Sequence, residues 1–166
     1  MLKGIKLVAF DFDDTLCIHE DHIYNDKAYR AKLLKGEDVF ANANPSVDML
    51  AFMDRCVEAD IPMFLCSAVG YSLAATAKLE YVLRVYGYTL GDICVSSWKK
   101  KTPMLKTVSE VYGIKPEEIL IVDDYWKVLG AAAKAGFKTA TPMQVVNWIQ
   151  SEEYWAQYTT EQQTED

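Results

Sequence analysis

The chain has 166 residues, an apolar fraction of 51%, a charged fraction of 25% and a formal net charge of −7. Such a length holds one domain with a real core and is short for two. The composition is that of a soluble globular protein, no apolar run is long enough to cross a bilayer, and the negative charge disfavours nucleic acid as a general partner.

The N-terminal residues Met1 to Lys6 pass directly into a short apolar run, Ile5 to Phe10, without the longer apolar stretch of an export signal. Cys17, Cys56, Cys66 and Cys94 show no CxxC spacing and are expected to be small core residues in a reducing cytoplasm. Ile5 to Phe10 predicts a buried strand that ends at Asp11-Phe12-Asp13-Asp14-Thr15. Leu16 to Asn44 leaves room for a hairpin flap and one short helix at about Asp26 to Lys35, a minimal cap inserted in a core spanning residues 1–150. Pro45-Ser46 opens a predicted helix with Val47, Leu50, Ala51, Met53 and Val57 at helical spacing and Ser46 as its cap.

Ile61 to Cys66 is the second predicted strand, closed by Ser67. A helix over Tyr71 to Tyr86 follows, with Leu73, Ala77, Tyr81 and Val85 on one stripe and Gly87 as its stop. Asp92 to Ser96 is the third strand and leads to the run Lys99-Lys100-Lys101. Pro103 and Gly113 bracket the next helix, and Glu118 to Val122 is a fourth strand closed by Asp123-Asp124. A helix from Trp126 to Ala135 and a weaker strand from Phe137 to Ala140 come next. The final helix starts at Pro142, places Val145, Trp148, Ile149 and Trp155 on one face, and runs into a polar tail within 151–166. Continuous apolar runs alternating with helices predict a doubly wound α/β fold with a parallel sheet, in which sites gather at the carboxyl ends of strands.

Those strand ends carry the chemistry. Asp11 and Asp13 can converge on one point, and crowded carboxylates favour a hard divalent cation such as Mg²⁺ between them. Alone the pair reads better as a solvated acidic turn after a strand. Asp123-Asp124 closes another buried strand, where a second metal ligand is needed, although Asp124 also stands where the following helix needs a cap. Ser67 can hold a phosphate oxygen or cap its own helix. Within Lys99 to Lys101, one ammonium can offset phosphate charge while the others stay solvated. His19 and His22 have no partner at metal-ligand spacing and read as loop residues.

Taken in order, these segments resemble the motifs of the haloacid dehalogenase (HAD) superfamily over about Lys6 to Met143. Asp11-Phe12-Asp13-Asp14-Thr15 is similar to the first motif, Leu65-Cys66-Ser67 to the second, and Ile121-Val122-Asp123-Asp124 to the fourth. Lys101 is the best match to the lysine of the third, with Lys100 and Lys99 as alternatives. The resemblance implies a Rossmann-like sheet and a Mg²⁺-dependent phosphomonoester hydrolase. In it Asp11 would be the nucleophile and Asp13 the general acid and base. Ser67 and Lys101 would hold the phosphoryl oxygens. Asp11, the Asp13 backbone carbonyl and Asp124 would hold the metal, with Asp123 nearby. Many members carry an acid four positions after the metal-binding Asp, where this chain has Val128, so either member of the doublet can be the direct ligand.

The substrate expected is a small phosphorylated molecule. Trp148, Tyr154 and Trp155 offer a contact for a second copy of the chain or pack onto the sheet. Phosphomutase and nucleotide or polynucleotide phosphatase are the alternatives within enzymes. A receiver-like domain or a catalytically silent binding domain is the alternative outside them. A receiver would place its phospho-acceptor after the third strand, and a silent domain would not need competent residues at all four motifs.

Overall fold

A computed structural model describes residues 1–18 and 27–163, with the backbone alone for 153–163. His19 and His22, and the side chains of Tyr154 and Trp155, lie outside the described residues. The described chain runs β1 (Leu7–Phe10), β2 (Cys17–Ile18), α1 (Lys27–Leu34), β3 (Asn44–Pro45), α2 (Val47–Glu58), β4 (Met63–Leu65) and α3 (Ser72–Tyr86). It continues with β5 (Gly91–Asp92), α4 (Lys101–Tyr112), β6 (Ile119–Val122), α5 (Trp126–Lys134), β7 (Lys138–Ala140) and α6 (Pro142–Gln163). Among the described residues, five strands form one parallel sheet in the order β5-β4-β1-β6-β7, so β1 lies at its centre.

Burial on both faces explains why the strands read as unbroken apolar runs. Val8, Phe10, Leu65 and Val122 point to one side and pack with Phe52 of α2, Tyr81 and Val82 of α3, and Val145 and Ile149 of α6. Leu7, Ala9, Ile119 and Ile121 point to the other and pack with Leu105 and Val108 of α4 and Val128 and Ala132 of α5. Alternation along each strand thus divides the interior into two cores. Gly87 and Gly113 end α3 and α4 in the left-handed conformation, at φ of 75° and 64°, where a side chain would be strained.

The helix stripes differ from the sequence expectation by a rotation. In α2 the buried residues are Met49, Phe52, Met53 and Cys56, whereas Val47 and Val57 are exposed. In α3 they are Ala74, Ala75, Lys78, Tyr81, Val82 and Tyr86, whereas Leu73 is exposed. The larger side chains, Phe52 and Tyr81 foremost, set which face meets the sheet, and isolated aliphatic residues on the opposite side stay wet. The third strand is also shorter than expected: β5 is Gly91–Asp92, and Val95 joins the sheet only through an isolated bridge to Ala68. Cys17, Cys56 and Cys66 are buried, Cys94 is partly so, and all are free thiols. No helix among the described residues is long and apolar enough to span a membrane.

Between β1 and α2 the chain makes an excursion whose base is the antiparallel pair β2–β3, Cys17 opposite Pro45 and Ile18 opposite Asn44. Tyr86, the last residue of α3, ties that base down. Its hydroxyl donates to the Leu16 carbonyl at 2.5 Å and accepts the Ser46 N–H at 2.8 Å. Ser46 is the α2 cap residue by position but makes no side-chain capping bond. Tyr86→Phe should therefore strand a part-buried N–H and lower unfolding stability by about 1–3 kcal/mol, measured by urea denaturation. A loss well under about 0.5 kcal/mol would mean that water replaces the hydroxyl.

Candidate active site

The sheet register sets the site. Phe10 is level with Leu65 on one side and Val122 on the other, so Asp11, Ser67 and Asp123 all follow adjacent strand ends. The ladder continues to the first of them: Asp11 N–H donates to the Val122 carbonyl at 2.8 Å and Cys66 N–H to the Phe10 carbonyl at 2.7 Å. Beyond β1 the chain turns sharply. The N–H groups of Thr15, Leu16 and Cys17 all point to the Phe12 carbonyl, and Asp14 adopts a left-handed φ of 54°, a conformation that Asp tolerates better than most residues.

Parity decides which core each side chain faces. Asp11 and Asp123 continue the alternation of Leu7-Ala9 and Ile119-Ile121, so both turn toward the α4 layer. Lys101, the first residue of α4, meets them there. Its Nζ lies 2.7 Å from Asp11 Oδ1 and 2.7 Å from Asp123 Oδ2, and it is 2% exposed. Burial alone would lower the pKa of Lys101, but the two carboxylates outweigh it and hold the ammonium well above the ordinary lysine value. Lys99 and Lys100 are exposed, and Lys99 rests 5.6 Å from the Trp98 ring centroid.

Asp123 is fully buried and spends its second oxygen on the Tyr125 N–H at 2.9 Å. Burial and then the Asp11 carboxylate push its carboxyl well above the ordinary range, against the pull of Lys101. Asp124 is exposed and does not cap α5, where Tyr125 holds the cap position. Burial of part of its carboxyl, and then Asp11 and Asp14, raise its pKa to about 6. One carboxylate oxygen from each of Asp11, Asp123 and Asp124 lies within 4.8 Å of the others. Three hard oxygen donors, two of them made difficult to ionise by burial and then by the charge of Asp11, fit a divalent cation such as Mg²⁺. With both Asp123 oxygens engaged, Asp11 and Asp124 are the better placed direct ligands.

Ser67 is fully buried and does not cap α3, whose cap position belongs to Tyr71. Its Oγ instead accepts a hydrogen bond from Lys78 Nζ at 2.8 Å. The same ammonium lies 2.5 Å from Asp13 Oδ2 and 4.8 Å from the centroid of Phe12. Lys78 is 4% exposed and was absent from the sequence-based site. Its signal was legible in one respect: it falls on the apolar stripe of α3 between Ala74-Ala75 and Tyr81-Val82, where a lysine needs a reason.

No family model matches the chain, and no curated protein is similar to it in sequence. Solved structures share its fold. A predicted HAD-like family hydrolase from Porphyromonas gingivalis aligns at a TM-score of 0.58 and 17% identity, over 92% of this chain and 98% of that one. A HAD family enzyme from Bacteroides thetaiotaomicron, in complex with magnesium and inorganic phosphate, aligns at 0.54 and 15% identity over 83% and 94%. The cobalt-bound deoxy-D-mannose-octulosonate 8-phosphate phosphatase from Haemophilus influenzae aligns at 0.53 and 16% identity over 84% and 70%. The fold is therefore the Rossmann-like fold of HAD hydrolases.

A cation at the three carboxylates makes a pH-dependent prediction. Because the folded pKa of Asp124 is raised to about 6, its contribution to metal-free stability is complete below the unfolded value of about 4 and is lost as pH rises through the folded one. Mg²⁺ needs the ionised carboxylates, so it should raise Tm clearly at about pH 7.5 and far less at about pH 5. Equal shifts at both pH values in a thermal melt, or retention of the shift in Asp124→Asn, would place any bound cation elsewhere.

Proposed function

We propose that this chain is a HAD-type, Mg²⁺-dependent phosphatase that cleaves phosphomonoesters through an aspartyl phosphate on Asp11. The observation that carries the reading is the convergence of Asp11, Asp123 and Asp124 around Lys101 at neighbouring strand ends, with Ser67 closing the next strand. The bound cation would supply charge neutralisation and orient the phosphoryl group; Asp11, the Asp13 carbonyl and Asp124 would hold it.

An Asp11 carboxylate oxygen attacks phosphorus while the ester P–O bond breaks and the leaving oxygen takes a proton from Asp13. A water molecule then gives a proton to Asp13 as its oxygen attacks phosphorus, the bond to Asp11 breaks, and inorganic phosphate leaves. Lys101 and the Ser67 hydroxyl stabilise the equatorial oxygens as charge accumulates on them. The buried Asp123 keeps Lys101 in place. The excursion on β2–β3, with α1, acts as a small flap rather than a sealed cap. Water then reaches the phospho-enzyme, and this favours hydrolysis over mutase transfer.

Asp11→Asn should reduce phosphate release from p-nitrophenyl phosphate by about a thousandfold or more, and EDTA should abolish it until Mg²⁺ is restored. Unimpaired turnover in Asp11→Asn would remove the nucleophile from the mechanism.

A nucleotide substrate is supported by one further observation. Tyr125 and Trp126 follow Asp124 directly, and Trp98 stacks edge-on against Tyr125 at 5.3 Å. Lys127 lies 5.4 Å from the ring centroid of Trp126, which is 71% exposed. Aromatic faces with ammonium groups suit a base bearing a phosphate. On this reading kcat/KM for a nucleoside monophosphate should exceed that for ribose 5-phosphate by about tenfold, the worth of one stacked base, and Trp126→Ala should erase the difference. Equal values for both esters in the wild type would point to a sugar or other small phosphate instead.

A further inference from the structure

We propose that Lys78 is a positioning residue of the phosphoryl site, fixing at once the direction of the Ser67 hydroxyl and the placement of the Asp13 carboxylate. The proposal rests on the phosphatase reading and adds to it a residue that none of the sequence motifs includes.

The argument begins with donor count. An ammonium has three N–H donors and no acceptor, whereas a serine hydroxyl has one hydrogen and two lone pairs. At 2.8 Å from Lys78 Nζ, Ser67 Oγ can only be the acceptor of that contact. Its own hydrogen must therefore point away from Lys78. Accepting from a charged donor also polarises the O–H bond and makes it a better donor in turn. On the phosphatase reading, a phosphoryl oxygen at the carboxyl end of β4 would be the acceptor of that hydrogen.

The second contact, 2.5 Å to Asp13 Oδ2, links the same ammonium to the group assigned to the leaving oxygen. Lys78 thus spans the ends of two strands. Ser67 follows β4 and Asp13 follows β1, and α3 delivers the amine from the layer opposite to α4. The site is held between two lysines, Lys101 from one face of the sheet and Lys78 from the other.

Stability alone gives a poor account of this lysine. An ammonium 4% exposed has lost most of its hydration, and an apolar side chain of similar volume is often as stable or more so in such a place. The Phe12 ring face at 4.8 Å and the Asp13 carboxylate offset part of that cost. Asp13, whose side chain is 25% exposed, would remain solvated without its partner. A charge retained there is accounted for by what it orients.

The test is a set of variants assayed with Mg²⁺ on two esters, p-nitrophenyl phosphate and glycerol phosphate. Lys78→Met should keep a Tm near that of the wild type while kcat falls about tenfold to a hundredfold, and Lys78→Arg should recover part of the loss. In a Ser67→Ala background the same Lys78→Met change should cost clearly less than in the wild type, because the hydroxyl it orients is gone and only the contact to Asp13 remains to be lost. Its effect should be larger on glycerol phosphate, whose leaving oxygen depends more on Asp13. If the cost is the same with and without Ser67 and for both esters, Lys78 is a structural ion pair and the proposal is overturned. Full activity in Lys78→Met alongside an inactive Asp11→Asn overturns the positioning role but leaves the phosphatase reading intact. A wild-type enzyme that releases phosphate from neither ester, nor from a panel of sugar phosphates and nucleotides, overturns both.

Discussion

Two carboxylates on neighbouring strands of a parallel sheet, both nearly removed from water, require a cation between them. Lys101, 2.7 Å from each, is that cation, and the rest of the site depends on it. The register that pairs Phe10 with Val122 leaves Asp11 and Asp123 no freedom to diverge. Without the ammonium, repulsion at this separation in a poorly hydrated interior would have to be relieved by protonation or by local opening. The start of α4 at Lys101 is therefore a requirement of the site as much as of the helix.

The two-faced sheet gives this arrangement its geometry. Residues two apart in a strand share a face, so Asp11, following Ala9, must look toward α4, and the Ser67 hydroxyl, following Leu65, must look toward α3. Each layer then contributes one lysine where the strand-end residue facing it needs a charge. The turn after Phe12, tightened by three N–H groups on one carbonyl and a left-handed Asp14, brings Asp13 round to the α3 side. Asp11 and Asp13 are thus held by lysines of different helices, and neither has to compete for the same ammonium.

The strands and their reactive ends were legible because both signals are local. An apolar run buried on two faces has nowhere polar to hide, so Asp11, Ser67 and Asp123-Asp124 stand out where each run stops. The family resemblance favoured Lys101 over Lys99 and Lys100, but the residues alone could not decide, since the choice depends on the phase at which α4 begins relative to two carboxylates distant in sequence. Lys78 was missed for a related reason. The stripe read from Leu73, Ala77, Tyr81 and Val85 left it at the margin beside Val85, and the buried face centred on Ala74, Ala75, Tyr81 and Val82 turns it inward. Asp124 and Asp123 could not be ranked until the Tyr125 N–H and Lys101 were seen to occupy both oxygens of the latter.

Charge counting links these pieces to the order of events in the proposed reaction. Asp11, Asp13, Asp14, Asp123 and Asp124 bring five carboxyl groups to the strand ends, and Lys101 and Lys78 bring two ammonium groups. A phosphomonoester adds a dianion to a site that is already net negative, and Asp11 must then approach phosphorus as an anion. Burial first, and then the neighbouring carboxylates Asp11 and Asp14, raise the pKa of Asp124 to about 6. On the proposed mechanism, a divalent cation at Asp11 and Asp124 would offset part of that negative charge before the ester enters. Lys78 cannot substitute for it, because its charge is already shared between Ser67 and Asp13 on the other face of the sheet.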